Sequence, residues 1–161
     1  MRGIDSNILV YALNKDLTEH LPCKGLLINI VNGKELVSIP SIVFMECFHA
    51  LVKAFNYKEV EVKKRLIAIF DSKNINVLDI STSSILRGFE IAEQYGTGGR
   101  GSLIVASLPE NKIQEIYCHD IDFDKILLIK RIDPIYIHSL GKIFSTSQSV
   151  SVRLKEYWNR C

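Results

Sequence analysis

Long apolar runs are the plainest thing this sequence lacks. No stretch approaches the roughly 18–20 consecutive apolar residues that a bilayer-spanning helix requires. Residues 1–13 come closest, but Asp5 and Asn7 interrupt them, Asn14 follows, and no small-residue cleavage pattern succeeds them. No membrane association is expected, and the cytoplasm is the expected location. Cysteine is sparse too. Cys23, Cys47, Cys118 and Cys161 stand far apart with no close metal-ligand pair, which argues against a zinc cluster or a disulfide framework and for a reduced intracellular protein. Nor is there a charge excess of either sign: 20 basic against 18 acidic side chains leave +2. A total so small neither demands nor excludes a nucleic-acid partner, because a local patch decides that.

What is present suits one folded domain. The 161 residues are 47% hydrophobic and 24% charged, enough for a core beneath a solvated surface. A short strand is expected at residues 2–5, then a helix entered through Ser6 or Asn7 and carrying the apolar run 8–13. A second helix is expected over 15–32, a link over 36–39, and a third helix over 42–55 with Glu46 one turn inside. Residues 57–72 have helical spacing. A strand at 75–80 and a helix at 81–94 lead to the glycine-rich turn 96–99. A helix follows from about 101 to Pro109, then a strand at 113–118, a polar turn at 119–122 and a further strand at 135–138. Alternation of strand and helix predicts an α/β fold with a largely parallel sheet. Residues 1–140 form the expected domain, and 141–161 an extension that is either a packed helix or a partly ordered tail.

Three acidic residues interrupt this pattern where chemistry could use them. Asp5 ends a strand, where open α/β sheets place their sites, although capping and simple exposure are the common alternatives. Glu46 stands between Phe44-Met45 and Cys47-Phe48, and a carboxylate on so apolar a stripe needs a partner or an ion. A helix-edge position is the bland alternative. Asp120 follows a strand and could face the same cleft as Asp5. If the three converge, Mg²⁺ or Mn²⁺ would offset their repulsion; separate surface charges are the competing explanation. Arg87, Arg100, Lys125, Lys130 and Arg131 are candidate phosphate contacts, Arg100 foremost because it follows the glycine turn.

In order and spacing these motifs resemble the PIN-domain family, in particular the VapC toxin branch of toxin–antitoxin pairs. Asp5-Ser6-Asn7-Ile8-Leu9 resembles the opening acidic motif and Glu46 the helix-borne second carboxylate. The run 101–106 resembles the third motif, and Cys118-His119-Asp120-Ile121-Asp122-Phe123 the last. The resemblance covers about residues 2–140. It implies a three-layer α/β/α fold with a short, mainly parallel central sheet, and cleavage of RNA to 5′-phosphate and 3′-hydroxyl ends. It also implies Asp5, Glu46 and Asp120 as catalytic and metal-holding residues, with Ser6, Asn7, Ser102 and Asp122 in support. A Mg or Mn cofactor, a cognate antitoxin and a homodimer belong to the same expectation.

One position departs from the pattern. The family places an aspartate where this chain has Gly101, and Ser102 cannot supply the missing charge. Gly101 therefore bears on activity more than on fold, with Asp122 as a compensating ligand if it turns inward. A noncatalytic RNA-binding or antitoxin-binding module is the main alternative, and a metal-dependent phosphatase a further one. The glycine turn lacks a Walker-type ending, and Cys118 beside His119 reads as a core thiol and an exposed ring rather than a nucleophilic pair. Tyr11, Phe44, Phe48, Phe55, Phe89 and Phe123 are expected in the core.

Overall fold

A computed structural model of the chain describes residues 1–136. Its first strand, β1 (Arg2–Ile4), passes into helix α1 (Ser6–Leu13) through the single residue Asp5. Asp5 keeps the extended backbone of the strand (φ −87°, ψ 157°), and its side chain accepts from Ser6 N. It therefore performs the capping expected of Ser6 or Asn7. An N-cap must be the last non-helical residue, and those two are already inside the helix.

Helix α2 (His20–Val31) begins later than residue 15 because Asn14 folds the chain back. The Asn14 side chain accepts from Asp16 N and its carbonyl from Leu17 N. Pro22 falls in the first turn of α2, where a missing amide proton costs no intrahelical bond. The expected link over 36–39 is in fact a strand, β2 (Val37–Pro40), buried at all four residues. A strand covered on both faces shows no polar alternation by which to recognise it.

Helix α3 (Ser41–His49) runs on into a π-helical turn (Ala50–Ala54). Then come α4 (Glu59–Phe70), β3 (Ile75–Leu78), α5 (Thr82–Tyr95) and α6 (Gly99–Ser107). Ser81 caps α5 by accepting from Ser84 N, and Gly96 ends it in the left-handed region at φ 63°. After β4 (Glu115–Tyr117) a 3₁₀ segment (Ile121–Lys125) leads to β5 (Lys130–Ile132). The strand expected at 135–138 is thus displaced: Ile135 and Tyr136 lie in a helical turn, and 137 and 138 fall outside the described residues. The strand that does form is at the edge of the described sheet, and its Lys130 is an exposed charge of the kind that edges carry. The extension 141–161 also lies outside the described residues.

All five described strands are parallel, in the order β3-β2-β1-β4-β5. The chain builds outward from β1 to β3 and then returns to add β4 on the other side of β1. Right-handed crossovers put α1 to α4 over one face and, after the reversal, α5 and α6 over the other. Contacts of α1 with α2 and α3, of α3 with α4, and of α5 with α6 agree with this, and the result is the expected three-layer α/β/α arrangement. Ile4, Val37, Ile39 and Ile116 are fully buried at its centre. Phe89 corrects one expectation, being 66% exposed. Gly88 and Ile91 share the face of α5 that turns inward, and Phe89, one residue on from Gly88, points away from it.

Helix α5 approaches α6 closely at Gly88, where an added Cβ would meet Leu103 Cα at 3.3 Å. Gly88→Val is expected to destabilise the chain by about 1–3 kcal/mol through overpacking. Gly25→Ala, where an added Cβ meets nothing within 4 Å on an exposed helical face, should instead stabilise it by up to about 1 kcal/mol. Urea unfolding of the two variants measures both signs.

Candidate functional site

The reversal in strand order opens a crevice at the carboxyl ends of β1 and β4, the position at which open α/β sheets bind ligands. Asp5 leaves β1 there, and its backbone N donates to Tyr117 O of β4 at 3.0 Å. The Asp5 carboxylate is 6% exposed. Its Oδ1 accepts from Ser6 N at 2.8 Å and its Oδ2 from the Cys118 thiol at 3.1 Å. Burial is the main cause that raises its pKa to about 6, and the Asp120 charge adds to the rise. The Asp120 charge is therefore felt at Asp5 across the switch point.

Glu46 reaches the same region from α3. It is 8% exposed, and burial followed by the Asp5 charge pushes its carboxyl up to about 7, while the Ser6 hydroxyl and the Arg100 charge pull it back. One of its oxygens, Oε1, is buried with no hydrogen-bond partner. An orphaned carboxylate oxygen of this kind costs on the order of 1–3 kcal/mol or more. Two buried acids, Glu46 raised further by the Asp5 charge and left with an open oxygen, fit a hard cation with oxygen ligands. The fit is incomplete, since among the described residues no group of three acidic, histidine or cysteine side chains could hold a metal ion. Asp120 is exposed and caps the 3₁₀ segment, its Oδ1 accepting from Asp122 N.

Gly101 lies in the first turn of α6, beside Arg100. An added Cβ there would meet only the Phe123 ring, at 3.4 and 3.5 Å, so the position has room for a side chain and supplies none. Ser102 is fully buried and shares a hydrogen bond of 2.7 Å with Thr97 Oγ1, which ties the glycine turn to α6. Asn7 donates to Cys118 Sγ and accepts from His119 N. Asp122 is turned outward to Lys125 at 2.7 Å and lends no oxygen to the buried pair.

The other cations expected to meet phosphate are paired as well. Arg87 meets Glu90, Lys130 meets Glu115, and Arg131 meets Asp124 and Asp133. Exposed pairs such as the first two are weak and can exchange partners. Arg131 is largely buried and also donates to Cys118 O, a structural tie between β5 and the end of β4. Cys118, Thr97 and Asp133 were absent from the sequence-based site. Cys118 is a core thiol as expected, yet it bonds Asp5; residues 118 and 120 share one side of an extended chain, and that parity was the available signal. His119 is half-buried, bonded to Asp133 Oδ2 at 2.8 Å and edge-on to Tyr11. A broad concavity of about 770 Å³ lined by Leu13, Lys15, Tyr57 and Arg65 lies at the other end of α1, away from the carboxylates.

A family model described as the PIN domain matches residues 4–126. Among solved structures, the fold is similar to Mycobacterium tuberculosis VapC20, a toxin that cleaves the sarcin–ricin loop. The TM-score is 0.66 and the identity 16%, over 81% of this chain and 99% of that one. A toxin–antitoxin complex from Klebsiella pneumoniae gives 0.60 and 17%, over 83% and 98%. VapBC2 from Rickettsia felis, bound to a DNA fragment from its promoter, gives 0.59 and 21%, over 81% and 96%. At such identities the likeness is one of fold. No match was found among curated proteins.

The raised carboxyls make stability depend on pH. From roughly pH 4 to 7 the folded chain holds protons on Asp5 and Glu46 that the unfolded chain has released. Stability without added metal should therefore fall as pH rises through this window and level off above it. Glu46→Gln should flatten the upper part of the slope and raise stability near pH 8 by on the order of 1–3 kcal/mol. Urea titrations of both chains across this range provide the check; equal stability near pH 8 contradicts the burial of a charge at Glu46.

Proposed function

The chain belongs to the PIN-domain family, and from that premise we propose that it is a metal-dependent endoribonuclease of a toxin–antitoxin pair, weakened by glycine at position 101. The observation that carries this reading is the partnerless buried Oε1 of Glu46 beside the buried Asp5. In an active member those two carboxylates, joined by Asp120, would hold Mg²⁺ or Mn²⁺. The cation, when bound, supplies Lewis-acid stabilisation of phosphate charge and a more acidic water.

The chain's own residues prepare that role. Ser6 N donates to Oδ1 of Asp5, which caps the helix that begins there. The Ser6 hydroxyl and Arg100 ease the charge on Glu46, and Arg100 is the cation best placed to meet an RNA phosphate at this cleft. Hydrolysis adds water across the P–O3′ bond: hydroxide joins phosphorus, the proton passes to O3′, and 5′-phosphate and 3′-hydroxyl ends result. Rate in such a reaction depends on the placement of charge around the phosphoryl group. Gly101 removes one negative group from that arrangement without disturbing α6.

A cognate antitoxin, a homodimer and a cytoplasmic location belong to the same proposal. The toxin–antitoxin complexes among the similar folds support the antitoxin. Among the described residues no helix is long and apolar enough to cross a membrane. The second reading, a noncatalytic RNA-binding or antitoxin-binding module, draws on Gly101 and on the incomplete carboxylate cluster.

Matched RNA-cleavage assays of the parent chain, Gly101→Asp and Asp5→Asn in Mg²⁺ and Mn²⁺ separate the two. Gly101→Asp should cleave at least about tenfold faster than the parent, a gain equivalent to about 1.4 kcal/mol of transition-state stabilisation, and Asp5→Asn should be inactive. Equal, metal-independent cleavage by all three would remove the site assignment. Folded Gly101→Asp that binds RNA without cleaving it favours the noncatalytic module.

A further inference from the structure

Cys118 is the buried group that the proposed chemistry leaves unassigned, and it touches three members of the candidate site. Its side chain is fully enclosed where β4 ends. Its Sγ is 3.1 Å from Asp5 Oδ2, against 3.8 Å from the other available acceptor, Asp120 O. A thiol carries one proton, and the shorter distance assigns it to Asp5. The sulfur in turn accepts from Asn7 Nδ2 at 3.4 Å and from Asp120 N at 3.3 Å.

These contacts divide the work on Asp5. Ser6 N holds Oδ1, a bond that any N-cap carboxylate makes and that leaves the group free to turn about it. The contact to Oδ2 stops that rotation. The bond from Asp120 N fixes the turn after β4 against the same sulfur, so one atom locates Asp5, Asn7 and the backbone of Asp120 together. The unpartnered Oε1 of Glu46 beside Asp5 is an independent sign that a ligand is to be received there, and a ligand shared by two carboxylates needs both in a defined orientation.

We infer that Cys118 is a positioning residue whose thiol sets the plane of the Asp5 carboxylate and holds the turn bearing Asp120 in register with it. The inference rests on the cation-site reading above for its effect on metal affinity, and on hydrogen-bond geometry alone for its effect on Asp5. Serine at 118 keeps a donor and acceptors. Valine keeps a similar volume and loses every polar contact.

The test uses the full chain as parent, Cys118→Ser and Cys118→Val, with Mn²⁺ titrated calorimetrically and crystal structures determined without metal. Cys118→Val should bind Mn²⁺ roughly 10–100-fold more weakly than the parent, the range seen when groups behind metal ligands are removed. Its Asp5 carboxylate should be rotated in the metal-free crystal, and Cys118→Ser should keep both the affinity and the orientation. Cys118→Ala removes the same contacts with less steric demand and is read in the same way if the valine chain does not fold. Unchanged affinity together with an unrotated Asp5 in the valine or alanine chain overturns the inference. If the parent takes up no Mn²⁺, the cation-site reading fails, and the orientation of Asp5 decides the positioning role by itself.

Discussion

Two carboxylates that are both hidden from water, one within reach of the other's charge, impose the main constraint on this molecule. Asp5 and Glu46 are held against the ordinary preference of an acid for solvent; the Asp120 charge makes ionisation of Asp5 harder still, and the Asp5 charge that of Glu46. A fold can tolerate such a pair by leaving it protonated, by placing a cation beside it, or by admitting a metal. Here each route is partly built. The pKa values are high enough to retain protons, Arg100 lends some positive potential to Glu46, and Glu46 Oε1 stands open. None of the three fully relieves the pair in the isolated chain. That unrelieved charge is the physical basis for reading the crevice as a ligand site rather than as ordinary packing.

The backbone explains why the pair forms where it does. Strand order β3-β2-β1-β4-β5 places the reversal between β1 and β4, so Asp5 and the turn with Asp120 emerge side by side at the carboxyl edge. β2 feeds α3 directly through Pro40, which brings Glu46 to the same edge. α6 arrives from the opposite face of the sheet and presents Arg100 and Gly101. Four segments distant in sequence thus meet at one end of the described sheet, where the Asp120 charge acts on Asp5 and the Asp5 and Arg100 charges act on Glu46. Gly101 stands there without a side chain, where an added Cβ would meet only the Phe123 ring.

Much of this was legible in the residues. Periodicity placed α3 to α6 closely, the glycines of 96–99 marked a real break, and the isolation of Glu46 on an apolar stripe drew notice to it. The failures have physical causes. β2 is buried on both faces and carries no alternation; β5 is three residues long and mostly charged. Asp5 hid its capping role behind Ser6 and Asn7, which are stronger-looking caps only until the strand's end is known. The thiol of Cys118 was invisible as a site contact because its partners come from residues 111 and 113 positions away. Local sequence shows which residues are chemically unusual, and the crossings of the chain show which of them meet.

The central claim, that the Asp5–Glu46 pair is a proton-holding seat for a divalent cation, is tested most directly by counting protons. Calorimetric Mn²⁺ titrations near pH 6.5 in two buffers of different ionisation enthalpy give the number released on binding. Because metal ligation requires deprotonated carboxylates, and near that pH Glu46 is mainly protonated and Asp5 partly so, the account predicts saturable binding with net proton release that fades toward pH 8. Binding with no proton release at either pH, or no binding at all, would contradict it.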